Sequence, residues 1–317
     1  MKTKHWLLFI TVSLISLNCF SINREKENDL TRDNLKGKVK SSKTIAYKAI
    51  ENNEKVTKGK IIDFYDDYGN YNCYKIYNDK GNIIEFNNYD SEGNLEMKWT
   101  CKYDNEENII EENEYDSKGN LETKRTYKYD NEGNITEMNW YNSESSLYQK
   151  TTYKYDKKGN KIEENEYDSE GNFETKWTYK YDNKRNLIER YVYSLDSSFN
   201  GKTTYKYDKT KNIIEENYYD SEGNFERKWT FKYDNEENIT EKNYYLLDEE
   251  ERPEKTTYKY DKTRNIIEEN DYNLIGTLSS KWTYKYEYDN KENWISKVVY
   301  KNNVPETIIE RKIEYFK

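Results

Sequence analysis

From about residue 61 to residue 290, short segments of aromatic, β-branched and charged residues alternate with tight polar turns. Two kinds of segment recur, one of the type I-I-E-E-N-x-Y and one of the type K-W-T-Y-K-Y. In the basic segments, polar and aromatic side chains alternate, which is the two-residue period of a β-strand. Enrichment in Tyr, Thr, Ile and Trp also favours strands. The pattern predicts a series of antiparallel hairpins.

The hairpins repeat with a fixed period. A Tyr-Asp pair returns every 26 residues at Tyr103, Tyr129, Tyr155, Tyr181, Tyr207 and Tyr233, and with small slips at Tyr260 and Tyr288. A second series, beginning Y-D-S-x-G-N, starts at Tyr115, Tyr167 and Tyr219. The unit is therefore a 26-residue double hairpin with sub-spacings of 12 and 14 residues. Such regularity is typical of repeat proteins, in which each unit packs mainly on its neighbours.

The turn sequence indicates how each hairpin closes. In the stretch from Asp116 to Asn120, the Asp side chain can accept backbone hydrogen bonds, and Gly119 can adopt left-handed dihedral angles at low cost. A type I turn with a glycine bulge is predicted. Several turns have another residue at the glycine position, namely Glu107, Arg185, Lys211, Glu237 and Arg264. Those turns are predicted to carry left-handed strain or to adopt another loop geometry.

The register expected from these turns separates two sets of side chains. Pairing of Asp116 with Asn120 predicts the following partners: Tyr115 with Leu121, Glu112 with Lys124, and Glu111 with Arg125. One face would carry Trp99, Tyr103, Ile109, Tyr115, Leu121, Tyr127 and Tyr129. The other would carry Lys98, Lys102, Glu112, Glu114, Lys124 and Lys128. Each acidic strand would lie between two basic ones, and facing opposite charges contribute about 0.2–1 kcal/mol per pair.

A single repeat is not expected to fold alone, because its aromatic side chains bury too little surface to offset the ordering of the chain. The predicted fold class is all-β, a long antiparallel β-meander of tandem hairpin repeats with about 20 strands. We expect it to be twisted and curled into an open barrel or spiral. The predicted organisation is a signal peptide at 1–21, a lead-in with the first strand or strands at 22–60, Tyr-Asp β repeats at 61–290 and C-terminal capping strands at 291–317.

Composition favours a folded chain over a disordered one. Only 33% of residues are hydrophobic and 36% are charged, but 52 basic and 61 acidic residues leave a net charge of −9, and aromatic residues reach 16%. Disordered segments are poor in aromatic residues and carry a high net charge.

The N-terminus predicts export. Two lysines precede an apolar run at residues 6–17, which has the form of a signal peptide and is too short to span a bilayer comfortably. One alternative is cleavage after Ser21, and the other is lipidation of Cys19, although Asn18 departs from a lipobox. Loss of this segment would remove His5, the only histidine, and with it imidazole chemistry. The predicted localisation is periplasmic, cell-surface or extracellular, with a lipid-anchored form as the alternative and no transmembrane span in the mature chain.

The charged residues predict no catalytic, metal or cofactor site. Adjacent glutamates recur at Glu111-Glu112, Glu163-Glu164, Glu215-Glu216 and Glu268-Glu269. Neighbouring strand residues point to opposite faces and each glutamate has a basic strand beside it, so a salt-bridge ladder is favoured over the carboxylate pair of a glycosidase. The turn aspartates are interpreted as caps rather than calcium ligands. Because acidic strands match the basic ones, no nucleic-acid binding is expected.

The aromatic face has a functional interpretation beside packing. Rings about 10 Å apart, on every second strand, could stack on a polysaccharide, or they could form the buried side of the curled sheet. Both interpretations stay open at this point. The candidate binding residues are Trp99, Tyr103, Tyr127, Tyr129, Trp177, Tyr181, Trp229 and Tyr233.

Cys73 and Cys101 are predicted to be free thiols. The hairpin register places them two strands apart and offset by four residues. That separation exceeds the roughly 7 Å between Cα atoms that a disulfide allows.

At the level of motifs, the chain resembles secreted bacterial YD-repeat (Rhs-like) proteins. The resemblance is carried by the Y-D-x-x-G-N turns, the K-x-T-Y-K-Y-D strands, the ending Tyr286 to Asp289 followed by Asn293 to Ile295, and the lead-in Gly37 to Lys40. It covers nearly the whole predicted mature chain and implies a short form without a toxin domain. Larger members of this class build a hollow shell from such strands, and some work at cell surfaces.

The expected function is that of an exported, non-catalytic repeat protein that serves as a structural or binding surface at the cell exterior. No enzyme activity and no cofactor are expected. The alternative is a carbohydrate-binding or carbohydrate-processing protein that uses the Tyr/Trp face. A polysaccharide or another surface protein is the expected kind of partner, and the sequence does not indicate which ligand.

Overall fold

Over the residues that the structure describes, the protein is an antiparallel β-sheet with one short helix. The computed structural model describes residues 28–53, 55–66, 69–195, 198–247 and 253–317. The predicted signal peptide, its cleavage site and Cys19 lie outside the described residues. Within the described ranges, no helix is long and apolar enough to cross a membrane.

The elements, in chain order, are α1 (Asp29–Arg32), β1 (Val39–Asn52), β2 (Lys55–Ile61), β3 (Tyr65–Asp66), β4 (Gly69–Asn70), β5 (Cys73–Tyr77), β6 (Ile83–Tyr89), β7 (Leu95–Tyr103), β8 (Ile109–Asp116), β9 (Leu121–Tyr129), β10 (Ile135–Asn142), β11 (Leu147–Tyr155), β12 (Lys161–Asp168), β13 (Phe173–Tyr181), β14 (Leu187–Tyr193), β15 (Phe199–Tyr207), β16 (Ile213–Tyr219), β17 (Phe225–Tyr233), β18 (Ile239–Leu246), β19 (Glu254–Tyr260), β20 (Ile266–Tyr272), β21 (Leu278–Tyr288), β22 (Trp294–Lys301) and β23 (Val304–Tyr315).

The sheet closes on itself. Strands β5 to β23 each pair with their neighbours in sequence, and β1 lies between β23 and β5, so 20 strands form a closed barrel. In β1, Thr44 is paired with Arg311 on one side and with Cys73 on the other. The C-terminal half of β1 pairs with β2, and β3 and β4 form a separate two-stranded sheet. The predicted all-β meander is confirmed, and closure removes the two free edges that an open barrel or spiral would leave.

The Tyr-Asp turns are built by a side-chain clamp. Between β7 and β8, Asp104 Oδ1 accepts hydrogen bonds from the backbone N–H groups of Glu106 and Asn108, and the Asn108 side chain donates to Asp104 Oδ2. Glu107, the residue before the asparagine, has a φ of 61°. At the other positions without glycine, φ is 68° in Arg185, 70° in Lys211, 65° in Glu237 and 68° in Arg264. The left-handed geometry is therefore kept, which confirms the first of the two predicted alternatives.

Some of these side chains contact the preceding turn. Arg264 Nε donates to Asn238 Oδ1 at 2.8 Å, and Glu107 accepts from the side-chain amide of Asn82 at 2.7 Å. Arg185 Nε makes the corresponding bond to Asn160 Oδ1 at 3.0 Å, in the preceding turn at the same end of the barrel. Such bonds join neighbouring turns along one end of the barrel and offset part of the strain of a left-handed residue that is not glycine.

The tyrosine before the turn aspartate fastens two strands together. Tyr129 donates its hydroxyl to the carbonyl oxygen of Ile109 at 2.6 Å. The same kind of bond, to the residue 20 or 21 positions earlier, is made by Tyr103, Tyr155, Tyr181, Tyr207, Tyr233, Tyr260 and Tyr286, of which Tyr286 lies three residues before its turn aspartate, Asp289. We call these residues the latch tyrosines. The repeated Tyr-Asp pair is therefore a strand latch followed by a turn clamp.

Bulges shift the register away from the predicted one. The pairs between β8 and β9 are Tyr115 with Leu121, Glu114 with Thr123, Glu112 with Arg125, and Glu111 with Thr126. The first pair is as predicted, but the partners expected for Glu112 and Glu111 are wrong. The register changes between the first two pairs because β9 contains one extra residue there, Glu122, and a shift of one residue reverses the face of every later side chain.

A second bulge, at Ile110 between β7 and β8, redistributes the two faces. Trp99 pairs with Glu114, and Lys98 pairs with Tyr115. Directly paired residues share a face, so Glu114, together with Glu112, lies on the face of the tryptophan. Tyr115 lies on the face of the lysines. The predicted assignment of these three residues to faces is therefore wrong.

The N-terminal segment, residues 28–36, identifies the concave face. The Leu30 N–H donates to the Gly81 carbonyl, and the Asn34 side-chain amide donates to the Thr263 carbonyl, each at 3.1 Å. The two turns that accept these bonds are separated by the strands β5, β1, β23, β22, β21 and β20, an arc of about 29 Å. Leu30 and Asn34 lie about 6 Å apart along a helical turn. Because the N-terminal segment joins the two turns over a distance much shorter than the arc along the wall, this segment lies on the concave side of the barrel wall.

Strand pairing then shows which face of the sheet points into the barrel. Asp33 of the N-terminal segment accepts hydrogen bonds from Lys75 at 2.7 Å and from Tyr77 at 2.6 Å. Lys75 pairs with Phe86, and Phe86 pairs with Trp99. The face that carries Trp99 is therefore the inner face, and the face that carries the lysines of the repeats is the outer face.

The hydrophobic clusters of the described residues lie in one sector. One cluster contains Leu30, Leu35, Val39 and Tyr77, and the other contains Ala46, Trp294, Val299 and Ile309. Both lie near β1, its neighbours in the ring and the N-terminal segment. A round ring of 20 strands would measure about 30 Å between opposite backbones, and barrels of 16–18 strands already enclose a lumen. In a ring of that shape, the inner face of the other sector would line a lumen.

Candidate ligand-binding surface inside the barrel

The outer face is a ladder of ion pairs. On β12, Glu163 accepts from Lys154 at 2.6 Å, from Lys176 at 2.8 Å and from the Asn165 side chain at 2.9 Å. Burial raises the pKa of Glu163, but these hydrogen bonds outweigh burial and lower the pKa to about 2. The same arrangement surrounds Glu111, Glu137 and Glu268. The outer charges are thus largely occupied with one another.

A row of aromatic side chains runs around the inner face. Two residues before the latch tyrosine, each basic strand from β9 to β21 carries a ring, and the row consists of Tyr127, Tyr153, Tyr179, Tyr205, Phe231, Tyr258 and Tyr284. We call these seven residues the inner row. Strands two positions apart in a sheet are about 10 Å apart, so the rings follow one another at that spacing.

The structure divides the eight predicted binding residues into two groups. The latch tyrosines among them are Tyr103, Tyr129, Tyr181 and Tyr233, whose hydroxyls are bonded to backbone carbonyls. The inner-face residues among them are Trp99, Trp177, Trp229 and Tyr127. The three tryptophans lie on β7, β13 and β17, so they do not form a continuous row.

Most of the inner row is absent from the predicted set. The residues that sequence reasoning missed are Tyr153, Tyr179, Tyr205, Phe231, Tyr258 and Tyr284. The signal was present in the K-x-T-Y-K-Y strands, because the first tyrosine of that motif has the same strand parity as Trp99 and Trp177.

Charged groups lie beside the inner row. Glu112 accepts a hydrogen bond from Tyr127 and lies 3.5 Å from the guanidinium of Arg125, which in turn stacks 4.5 Å from the ring centre of Trp140. Burial raises the pKa of Glu112, and the bonds from Tyr127 and Arg125 offset this only in part. The inner face therefore offers rings for stacking together with carboxylate and guanidinium groups for hydrogen bonding.

β12 carries a lysine where other acidic strands carry an aliphatic residue. The ammonium group of Lys161 lies 2.6 Å from Glu164 Oε2, 4.6 Å from the ring centre of Tyr179 and 5.4 Å from that of Tyr153. Its side chain is 11% exposed. The equivalent residues of three other acidic strands are Ile109, Ile213 and Ile266. The inner face thus holds an ammonium between a carboxylate and two rings.

The two described cysteines are free and buried on the inner face. Cys73 pairs with Asn88 and Asn88 with Met97, which leaves Cys101 two strands away and four residues along, as predicted. Burial raises the pKa of both thiols, so neither is an activated nucleophile. Within the described ranges, no group of three or more His, Cys, Asp or Glu residues is placed to hold a metal ion.

No protein-family model and no curated protein matches the chain. Among solved structures, it is similar to TcdB2-TccC3-TEV at 11% identity and a TM-score of 0.30, over 75% of this chain and 15% of that one. It is similar to the Photorhabdus luminescens Tc holotoxin pore at 11% identity and a TM-score of 0.29, over 74% of this chain and 19% of that one. It is also similar to a porin-like protein from Bacteroides uniformis at 12% identity and a TM-score of 0.32, over 87% of this chain and 96% of that one. TM-scores this low do not indicate a shared function.

Proposed function

We propose that this chain is an exported, non-catalytic YD-repeat protein that acts as a binding surface at the cell exterior and holds a glycan on the inner face of its barrel. The observation that carries the proposal is the inner row, with seven aromatic side chains at about 10 Å intervals on a concave wall. The clamp and latch built on each Tyr-Asp repeat support membership of the YD-repeat class.

The environment of most of the inner row favours binding over packing. Tyr127 and Tyr205 are buried, whereas the other five rings are half-buried. Tyr284 packs against the hydrophobic cluster around Ala46, but the other six rings belong to neither hydrophobic cluster of the described residues. A glycan presents apolar ring faces that stack on aromatic side chains and hydroxyl groups that bond to carboxylate and guanidinium groups. Both kinds of partner are present along the inner row.

A glycan array screened with residues 22–317 tests the proposal, followed by titration calorimetry on the glycans that bind. Phe231→Ala removes one ring from the inner row without removing a hydroxyl group. We expect it to weaken glycan binding about tenfold, which corresponds to about 1.4 kcal/mol. The matched control is Tyr219→Ala, because Tyr219 lies on the outer face with its ring centre 4.7 Å from the Lys202 ammonium. Equal loss in both variants, or no glycan bound at all, would reject the proposal.

A carbohydrate-processing activity is the second candidate. Glu164 and Glu166 lie two residues apart on the inner face of β12, and their surroundings differ. Glu164 is bonded to Lys161 and Tyr179, whereas burial and neighbouring carboxylates raise the pKa of Glu166 to about 7. A pair of carboxyl groups in different surroundings, one of them with a raised pKa, supplies the acid and base of glycosidases. Release of reducing sugar from any bound glycan, lost in Glu166→Gln, would favour this candidate over the non-catalytic one.

A further inference from the structure

We propose that the inner face of β11–β13 contains a site for a protonated primary amine, bound by the carboxylate of Glu166 and the hydroxyl of Thr151 beside the ring of Trp177. This inference rests on the proposed function, because it assigns a ligand chemistry to one position on the same inner face.

Glu166 differs from the carboxylates at the equivalent positions of other repeats. On β20, Asp271 accepts hydrogen bonds from Thr256 Oγ1 at 2.9 Å and Ser280 Oγ at 2.6 Å. On β8, Glu114 accepts one from a threonine hydroxyl at 3.2 Å. Glu166 lies between two threonines as well, but no described residue donates a hydrogen bond to it or forms an ion pair with it.

The electrostatics of Glu166 match this lack of partners. Burial raises its pKa most, and the negative charges of Glu164 and Glu174 raise it further, to about 7. Lys161 neutralises Glu164 but forms no ion pair with Glu166. A desolvated carboxylate beside like charges is stabilised by a cation, so the unmet requirement at this point of the wall is for positive charge.

A second, independent group lacks a partner at the same place. Thr151 lies directly opposite Glu166 on the neighbouring strand, and it is 1% exposed. Its hydroxyl oxygen is buried and makes no hydrogen bond with any described residue. Buried hydroxyl groups in folded proteins almost always have a hydrogen-bond partner. A ligand that donates hydrogen bonds to both Thr151 and Glu166 would satisfy both groups.

Trp177 and the neighbouring lysine indicate which donor fits. Glu164, adjacent to Glu166 on the inner face, pairs with Trp177, which places the Trp177 side chain diagonally across from Glu166 on the neighbouring strand. Five residues before Glu166 on the same strand, Lys161 is an example of an ammonium group bound by a carboxylate and two aromatic rings. An ammonium has three N–H donors and is attracted to the faces of aromatic rings. A neutral sugar hydroxyl would satisfy the hydrogen bonds but leave the charge of Glu166 uncompensated.

Three probes separate the amine from the sugar: an aminopentyl glycoside of a bound glycan, the matching pentyl glycoside, and cadaverine. Titration calorimetry is carried out on the mature chain at about pH 8, where Glu166 is ionised and alkylamines are protonated. We expect the aminopentyl glycoside to bind about tenfold more tightly than the pentyl glycoside. Glu166→Gln should abolish that preference, and Thr151→Val should reduce it. The matched control Glu114→Gln, whose carboxylate already has a hydroxyl donor, should retain it.

The outcomes distinguish this inference from the proposed function. Equal binding of the two glycosides would overturn the amine site and leave glycan binding intact, and so would a preference that survives Glu166→Gln. Binding of cadaverine alone, lost in Glu166→Gln, would support the amine site and reject the glycan. Binding of none of the three probes would overturn the amine site and count against both.

Discussion

Glu166→Gln should make the protein more stable at alkaline pH. The folded-state pKa of Glu166 is raised from its ordinary value of 4.5 to about 7. The folded protein therefore binds more protons than the unfolded chain between these two values, so this carboxyl group lowers stability as the pH rises through that window. A shift of this size corresponds to at most about 3 kcal/mol, and screening by water at a half-buried carboxyl reduces it to about 1–2 kcal/mol. Glutamine keeps the shape and removes the charge.

Urea unfolding at about pH 8 and at about pH 4, followed by tryptophan fluorescence, tests this reasoning. At the higher pH the free energy of unfolding of Glu166→Gln should exceed that of the unchanged protein by about 1–2 kcal/mol. At the lower pH the difference should vanish, because Glu166 is then neutral in the folded protein and largely so in the unfolded chain. The reasoning would be refuted if the variant were less stable at high pH, or if the difference did not depend on pH. A gain in stability on loss of a binding group is common at functional sites.

Glu163→Gln should lower the free energy of unfolding at neutral pH by about 1–2 kcal/mol, because it breaks two lysine bonds of the outer ladder. The folded pKa of Glu163 is lowered to about 2, so the loss of unfolding free energy should be full above about pH 5 and shrink as the pH falls toward 2. The control Glu122→Gln, at an exposed bulge position, should leave the unfolding free energy unchanged. An equal loss in both variants would contradict the ion-pair ladder. Lys211 has a φ of 70°, and replacing it with glycine relieves about 1 kcal/mol of backbone strain. Lys211→Gly should therefore raise the midpoint of thermal unfolding. Arg264→Gly should gain less, because it also loses the bond to Asn238, and a larger gain than in Lys211→Gly would refute that account.

The sequence predicts the repeat, the strands and the turns because each depends on residues close together in the chain. Asp104 and Asn108 form their clamp within five residues, and the two-residue alternation is local to each strand. The left-handed angle of Glu107 is also predictable, since the turn type requires it whether or not glycine is present.

The strand register and the closure of the barrel are harder to predict from the sequence. The bulge at Ile110 adds a single residue to β8 opposite β7, and no turn residue indicates it, yet it places Glu112 on the same face as Trp99. Closure depends on β1 pairing with strands that are distant in sequence, such as Thr44 with Arg311. For the candidate site, the sequence predicts aromatic binding residues, and the structure places the hydroxyls of two of them, Tyr103 and Tyr129, on backbone carbonyls of the neighbouring strand.

The central claim is that the sheet closes between β1 and β23, so that the inner row faces an enclosed lumen. Lys43 and Lys312 are directly paired across that junction, and both are exposed. Paired residues in antiparallel strands have Cα atoms about 4.5–5.5 Å apart, within reach of a disulfide. Oxidation of the Lys43→Cys/Lys312→Cys variant should therefore give an intramolecular cross-link, as it should for the control pair Lys98→Cys/Tyr115→Cys within the meander. A cross-link in the control with two free, alkylated thiols at positions 43 and 312 would show an open sheet and contradict the account.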